Sequence, residues 1–282
     1  MIQYGLISKV HERAFLPLLP KELHILNEGG VYAIGAVKEN QVCGVLVFRA
    51  DAFAADILYL AVAEPFRGQG IANGLIDFLC QSAWQATTAV TCTFSAVGRD
   101  DPMCRLLTKR GDFTLEETED YICRFPCKDL ADVELPAALP AGSRIEPFYK
   151  LRPNMQTRFF SELNEDNAEF ADGLKQERNS MLESLCLCVT EGDDVRAAIF
   201  CQNQDGDVML SFAYASPNHS RALIALLGRL KELLLKAADK VPCLQIAAVT
   251  PQSRKLVNKL LPQREITRKF YMASWDMNTM GE

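Results

Sequence analysis

The residues best placed to do chemistry form the run Arg67-Gly68-Gln69-Gly70-Ile71-Ala72. The β-rich run 57–62 precedes it, and apolar residues with helical spacing follow it from Ile71 to Leu79. The first amides of a helix lack partners and carry partial positive charge, so they can hold an anion. Glycine lets an oxygen approach the backbone and permits positive φ. The run therefore predicts a phosphate or pyrophosphate site, although a Gly-x-Gly turn also occurs for structural reasons alone.

This run resembles the [RQ]-x-x-G-x-[GA] motif of the GNAT superfamily of N-acetyltransferases. Leu60-Ala61-Val62 upstream and Leu75 downstream match as well. The resemblance implies acetyl-CoA or another acyl-CoA as co-substrate, with its pyrophosphate on the backbone amides of Arg67, Gly68, Gln69, Gly70, Ile71, Ala72 and Asn73. It also implies a strand splayed from its neighbour, which pairs with the pantetheine arm through Leu60, Ala61, Val62 and Ala63. Such pairing satisfies backbone groups that the splayed strand leaves open.

Asp56 and Tyr59 are the candidate catalytic residues. An amine must lose a proton before it attacks a thioester, and the departing thiolate can accept one from an acid. Ala55-Asp56-Ile57 resembles an Ala-Glu-Ile stretch that holds a catalytic glutamate in some family members. Tyr59 is placed to donate a proton or relay a water. The structural alternatives are a solvated aspartate at the strand start and an aromatic ring of the core.

The tyrosine acid of many family members is absent. It lies four residues before a Gly-Phe pair, which Gly111-Asp112-Phe113 resembles with one extra residue, and its position falls on Leu107. Either another group is the acid, the thiolate leaves unassisted, or activity is lost. We expect Cys104 on the same helix to be a packed thiol, and Asp100 and Asp101 to lie in a solvated loop that could contact a cationic acceptor.

The chain repeats one pattern at an offset of roughly 150 residues, typical of two domains. Each half reads as a hairpin, a strand, a helix, a strand, a short helix and a closing strand that ends in an aromatic residue. Proline-rich segment 126–147 suits neither helix nor sheet. We expect an α/β protein with a GNAT domain over 1–127, a linker over 128–144 and a degenerate GNAT-like domain over 145–282. Each sheet should be mixed, mostly antiparallel, with a splayed central pair flanked by helices.

The second half has no glycine in its equivalent loop, Pro217 to Ile224. His219 stands in the place of Arg67, and the branched Ile224 in the place of Ala72 would crowd a phosphate. We expect a copy that does not bind CoA and that completes the acceptor cleft, supports the first domain or forms a homodimer. His219 reads best as a surface loop histidine.

Composition narrows the class of protein. Lys and Arg number 30 against 36 Asp and Glu, which argues against nucleic-acid binding through bulk charge. No run is apolar over the ~20 residues of a membrane helix, and no signal peptide is seen at the start. The 10 cysteines lie mostly in apolar segments without zinc-ligand spacing, so we expect buried thiols, no metal site and a cytoplasmic location.

These observations favour an N-acetyltransferase that moves an acyl group directly to a primary amine of a small molecule or peptide. The acidic cluster Glu116, Glu117, Glu119 and Asp120 would tolerate a cationic amine, although such runs are usually only solvated. The alternatives are a non-catalytic acyl-CoA-binding module whose second domain docks a partner, and a site for another phosphorylated ligand.

Overall fold

A computed structural model describes residues 1–19, 30–83, 87–135, 139, 141–163 and 180–276. The chain divides into two compact units. Unit 1 comprises Met1–Glu119 with Arg268–Glu282, and unit 2 comprises Asp120–Thr267. Among the described residues, no helix is both long and apolar enough to cross a membrane.

Unit 1 is a mixed sheet with helices packed on it. Its elements are β1 (Ile2–Leu6), α1 (Glu12–Phe15), β2 (Val31–Lys38), β3 (Gln41–Ala50), β4 (Ala54–Val62), α2 (Ile71–Ala83), β5 (Ala89–Ala96), α3 (Pro102–Arg110), the first part of β6 (Thr114–Pro126) and the last part of β12 (Glu265–Asp276). The sheet order is β1-β2-β3-β4-β5-β12, antiparallel except for the β4–β5 pair. Ile71, Leu75 and Leu79 of α2 are buried in its core, as the helical spacing predicts.

Unit 2 repeats this plan. Its elements are the rest of β6, β7 (Ser143–Pro147), α4 (153–163), β8 (Leu187–Glu191), β9 (Asp194–Gln204), β10 (Asp207–Ala215), α5 (Ser220–Lys236), β11 (Cys243–Ala248), α6 (Pro251–Leu260) and the start of β12. The sheet order is β6-β11-β10-β9-β8-β7, again with one parallel pair, β10–β11. Leu226, Leu230 and Leu234 of α5 are buried against this sheet.

The closing strands β6 and β12 pair differently from what a division of the sequence at 127 and 145 implies. That division leaves each closing strand with the half that precedes it. In the structure, Lys269–Asp276 of β12 pairs antiparallel with β5 of unit 1, and Tyr121–Pro126 of β6 pairs with β11 of unit 2. Both closing strands are β-runs ending in aromatic residues, so their local pattern does not specify which sheet accepts them.

The described part of segment 126–147 contains a helix and a strand, and the expectation that it adopts neither is wrong there. Cys127–Asp132 forms a 3₁₀ helix, and β7 pairs with β8 as an edge strand. Pro126 and Pro147 lie next to these elements or at their ends, where a missing amide donor costs nothing. Residues 136–138 and 140 lie outside the described residues.

The short helix α1 is held to the sheet by close contact between Phe15 and Gly35. A Cβ built on Gly35 would lie 2.2 Å from Cζ of Phe15 and 3.2 Å from Cγ1 of Ile7. Phe15 is buried and cannot move without losing its contacts. We expect Gly35→Ala to lower the free energy of unfolding by about 1–3 kcal/mol, measured by urea denaturation. Gly5→Ala, where a Cβ meets no atom within 4 Å, is the control. Equal stability of the two variants would contradict this packing.

Candidate active site

The chain turns sharply between β4 and α2. After Val62, Glu64–Phe66 forms a 3₁₀ turn, and the amide of Arg67 donates to the Glu64 carbonyl at 3.2 Å. Gly68 and Gly70 then adopt φ of +75° and +78°. These values lie in the region that glycine enters without steric cost, which is why the turn carries glycine twice.

Open backbone amides face the space above this turn. The helix begins with the Gly74 amide donating to the Gly70 carbonyl at 3.0 Å. From Gly68 to Asn73, no amide has a hydrogen-bond acceptor among the described residues. A Cβ added to Gly68 or Gly70 would meet no atom within 4 Å. An uncrowded set of amide donors at the positive end of a helix fits an anion such as phosphate.

Side chains around the turn add positive charge. Nε of Arg67 donates to the Val62 carbonyl at 3.2 Å, and Nε2 of Gln69 donates to the Pro65 carbonyl at 3.3 Å. The ammonium of Lys38, at the end of β2, donates to Oε1 of Gln69 at 2.9 Å. Lys38 was not found by sequence reasoning, because the hairpin that carries it lies 31 residues away.

β4 separates from β5 halfway along its length. The two strands are paired only from Ala54–Ala89 to Asp56–Thr91, while β4 continues to Val62. On its other edge, β4 stays paired with β3 up to Val62–Gly44, with a β-bulge at Leu58. The stretch Leu60, Ala61, Val62 and Ala63 therefore borders the gap between β4 and β5, as the implied pantetheine site requires. The Ala63 amide itself donates to the Cys43 carbonyl at 3.0 Å.

Asp56 lies where the two strands part. It is the last residue of β4 paired with β5, it is half-buried, and Thr91 Oγ1 donates to its Oδ1 at 2.9 Å. It lies about 20 Å along the strand from Val62 at the usual strand rise. The carboxylate thus lies at the inner end of the gap, with the open-amide turn at the outer end.

Tyr59 lies on the face of β4 opposite α2. Its ring packs with the cluster of Val45, Val47 and Phe15, whereas Leu60 and Val62 pack with the α2 cluster. By strand alternation and the bulge at Leu58, Asp56 and Tyr59 point to the same face. Burial raises the pKa of Tyr59.

Part of the chain matches a known family. Residues 6–111 match the model of the Acetyltransferase (GNAT) family. This part of the chain is a GNAT domain. No curated protein matches the chain in sequence.

Solved structures extend the likeness to the whole chain. A tandem GNAT protein from the clavulanic acid biosynthesis pathway matches with a TM-score of 0.66 at 14% identity, over 98% of this chain and 99% of that one. A glucosamine N-acetyltransferase region of a fungal multi-domain protein gives 0.63 at 9%, over 98% and 38%. A GCN5-related N-acetyltransferase from Sphaerobacter thermophilus gives 0.52 at 14%, over 89% and 82%. The expected α/β fold with two GNAT-like domains is confirmed.

The GNAT domain has no tyrosine on α3. Leu107 is buried in the core at the position implied for it, and Cys104 beside it is buried with its pKa raised by burial. The space next to Cys104 holds Tyr271 of β12, which stacks on Phe94 at 5.9 Å between ring centroids. Tyr271 is 1% exposed and donates to Oε2 of Glu117 at 3.2 Å. Burial and Glu117 raise its pKa, and its hydroxyl proton is already donated to Glu117, so Tyr271 is a packed core residue.

Other acidic candidates have structural partners. Oδ1 of Asp101 accepts the Met103 amide at 3.0 Å and caps α3. In the acidic cluster, Glu117 is paired with Lys269, and Asp120 with Arg254. Among the described residues, no group of three or more His, Cys, Asp and Glu could hold a metal ion.

Arg110 is a second residue near the turn that the sequence motif does not include. Its guanidinium, 9% exposed, donates to Asp77 and Asp112 at 2.9 and 2.6 Å and to the Asn73 carbonyl at 3.3 Å. It therefore joins the end of α3 to the first turns of α2 in the GNAT domain. Hydrogen bonding to the two carboxylates raises the pKa of Arg110 although burial lowers it.

The equivalent turn in unit 2 closes on itself. Asn218 takes the positive φ of +67° in place of glycine. His219 precedes α5, and its Nδ1 lies 3.0 Å from Ser216 Oγ and 2.8 Å from the Pro217 carbonyl. The Ala222 amide donates to the His219 carbonyl at 2.9 Å. These contacts place His219 within the turn itself.

Proposed function

We propose that unit 1 is an acetyl-CoA-dependent N-acetyltransferase that transfers the acetyl group directly to a primary amine of a small molecule or peptide. The observation that carries the proposal is the open-amide turn at the end of a strand that parts from its neighbour. The turn fits a pyrophosphate, and the gap fits an extended arm rich in amides. The free thiols of the chain suit the reducing cytoplasm.

Most of the residues that would hold acetyl-CoA lie between Leu60 and Asn73. The amides from Gly68 to Asn73, including those of Ile71 and Ala72, would bind the pyrophosphate, with Lys38 and Arg67 adding charge. The strand edge of Leu60 to Ala63 would pair with the pantetheine arm. Bound acetyl-CoA supplies a thioester carbonyl activated for attack by an amine.

Proton transfer is assigned to the inner end of the gap. An alkyl ammonium with a pKa of ~10.4 is mostly protonated at neutral pH, so a base is needed. Asp56 accepts this proton, directly or through water. Tyr59 is the candidate donor to the departing thiolate. Burial raises the pKa of all ten cysteine thiols, which favours direct transfer over a thiolate intermediate on the protein.

The test is release of free CoA thiol from acetyl-CoA in the presence of a polyamine, an aminoglycoside or a lysine peptide. With an acceptor found, we expect Asp56→Asn to lower kcat by about 100-fold and to leave the Kd of acetyl-CoA within about twofold. Tyr59→Phe keeps the packed ring and should lower kcat less. Asp51→Asn is the matched control, because Asp51 only accepts the amides of Phe53 and Ala54 in a turn that asparagine also forms.

Two outcomes would change the assignment. Wild-type activity in Asp56→Asn would remove Asp56 from the mechanism. Binding of acetyl-CoA without transfer to any amine would favour the alternative, a non-catalytic acyl-CoA-binding module. The observation behind that alternative is the buried Leu107 at the position implied for the acid.

A further inference from the structure

Unit 2 contains an apolar cavity at the place where its own parallel strands part. β10 and β11 are paired from Val208–Leu244 to Leu210–Ile246, and β10 then continues to Ala215. A cavity of about 240 Å³ opens between these strands, α5 and α6. All of its lining residues belong to unit 2.

Few groups in the lining of the cavity can bind a polar ligand. Leu227, Leu230 and Leu234 of α5 face it together with Leu256 and Leu260 of α6. Its hydroxyl groups are largely used by the protein. Ser211 donates to the Phe200 carbonyl at 3.1 Å, and Thr250 and Ser253 bond each other in the cap of α6. A site with this lining fits an aliphatic group.

A short segment covers the cavity on the side of α5. Leu130, Val133 and Leu135 line it, and we call residues 130–135 the cover. The ammonium of Lys231 on α5 fixes the cover by donating to the carbonyls of Ala131 and Val133 at 3.2 and 2.7 Å. The turn before α5 contains no glycine, and the Ala222 amide there already donates to the His219 carbonyl.

Lys231 is the one charged residue in the described lining of this cavity. An ammonium has three hydrogens, and two of them go to the cover. No carboxylate of the described residues forms an ion pair with it, although Glu134 and Lys259 lie with it around an adjoining surface depression. A positive group with one unused donor beside an apolar cavity suits a carboxylate with an aliphatic tail.

We propose that unit 2 binds a medium-chain fatty acid, with the chain in the cavity and the carboxylate on Lys231. An apolar cavity of 150 Å³ holds benzene, with its six carbons. Scaled to about 240 Å³, this one holds roughly ten heavy atoms, which corresponds to a chain of about eight to ten carbons. The proposal does not depend on acetyl transfer in unit 1.

The experiment is calorimetric titration of the full chain with decanoate, 1-decanol and hexadecanoate. We expect one decanoate per chain with micromolar Kd, at least tenfold weaker binding of decanol, and weaker binding of hexadecanoate because its chain exceeds the cavity. This comparison needs no variant. Absence of saturable decanoate binding would overturn the proposal, and equal affinity for decanol would overturn the role of Lys231.

Variants locate the site. Leu256→Trp places bulk in the cavity from a half-buried position and should abolish binding. Lys231→Met should weaken decanoate at least tenfold more than decanol, because both ligands lose the fixed cover but only decanoate loses a charged partner. Lys236→Met, a lysine of the same helix outside the lining, is the matched control. Unchanged binding in Leu256→Trp, with the fold verified by circular dichroism, would place the ligand elsewhere. Gly70→Glu should keep decanoate binding, which separates this site from that of unit 1.

Discussion

Gly70→Glu should weaken acetyl-CoA binding at least 100-fold. The substituent enters open space in front of amides that have no acceptor, where the pyrophosphate is expected. Two like charges about 4 Å apart repel by about 4 kcal/mol at an effective dielectric constant of 20. A 100-fold loss corresponds to only about 2.7 kcal/mol. Isothermal titration calorimetry on the full chain measures it directly.

Two control variants separate the effect of the added charge from the effects of side-chain bulk and of backbone strain. Gly70→Gln adds similar bulk without the charge and should lose less affinity than Gly70→Glu. Gly142→Glu places the same residue at φ of +81°, also in open space, so it carries a comparable backbone cost of about 1–2 kcal/mol away from the turn. It should bind acetyl-CoA normally. Tight binding by Gly70→Glu would remove the turn from the cofactor site.

Asp207→Asn should lower the free energy of unfolding of unit 2 by about 3 kcal/mol. Asp207 is 5% exposed at the start of β10. It accepts hydrogen bonds from Arg124 of β6 at 2.8 and 3.1 Å and from Gln245 of β11 at 2.9 Å. Asparagine keeps one acceptor oxygen but removes the charge that pairs with Arg124, and breaking a buried pair costs about 3–5 kcal/mol. Arg124 is 41% exposed and can regain water, which places the cost at the lower end.

The loss of stability in Asp207→Asn should be smaller at low pH than at neutral pH. Burial would raise the pKa of Asp207, but the hydrogen bonds from Arg124 and Gln245 outweigh it and lower the pKa below its usual value. Its contribution is therefore present above the unfolded pKa of about 3.9 and is lost as the pH falls through the folded value. Wild type and Asp207→Asn should differ by a constant amount from pH 7 to about pH 5 and converge at lower pH.

Hydrogen exchange of β10 and β11 amides during urea titration reports this loss for unit 2 specifically. Asp239→Asn, at an exposed position in the same unit, is the control and should change stability by less than about 0.5 kcal/mol. If the urea unfolding midpoint of Asp207→Asn at pH 7 equalled that of the wild type, the ion pair between Asp207 and Arg124 would not stabilise unit 2.

Local signals in the sequence located the glycine turn before α2 and most strands. The glycines at 68 and 70 adopt the positive φ that their type suggests, and Ile71 begins the helix whose apolar spacing was visible. The hairpin of β2 and β3 follows from β-rich runs around Glu39 and Asn40, which both take positive φ. These features depend on neighbours within a few residues, so the sequence pattern contains them.

Features that depend on distant residues were not predictable in the same way. Lys38 meets Gln69 only because β2 and β4 share a sheet, and Arg110 meets Asn73 only because α3 packs near α2. The point where β4 leaves β5 depends on pairing between strands that are distant in the sequence. The resemblance to the GNAT superfamily implied this separation, whereas the hydrophobic pattern of the sequence did not. Tyr271 occupies space beside Cys104 through a strand more than 160 residues later in the chain.

The place of β12 has a consequence for synthesis of the protein. Unit 1 receives its final strand from Lys269–Asp276, after all of unit 2 has been translated. At about 5–20 residues per second, the interval between Glu119 and Arg268 lasts roughly 7–30 s. During this interval, the edge of β5 that later pairs with β12 has no partner strand. An unpaired strand edge can pair with other chains. Unit 1 therefore stays incomplete until Lys269–Asp276 has been translated.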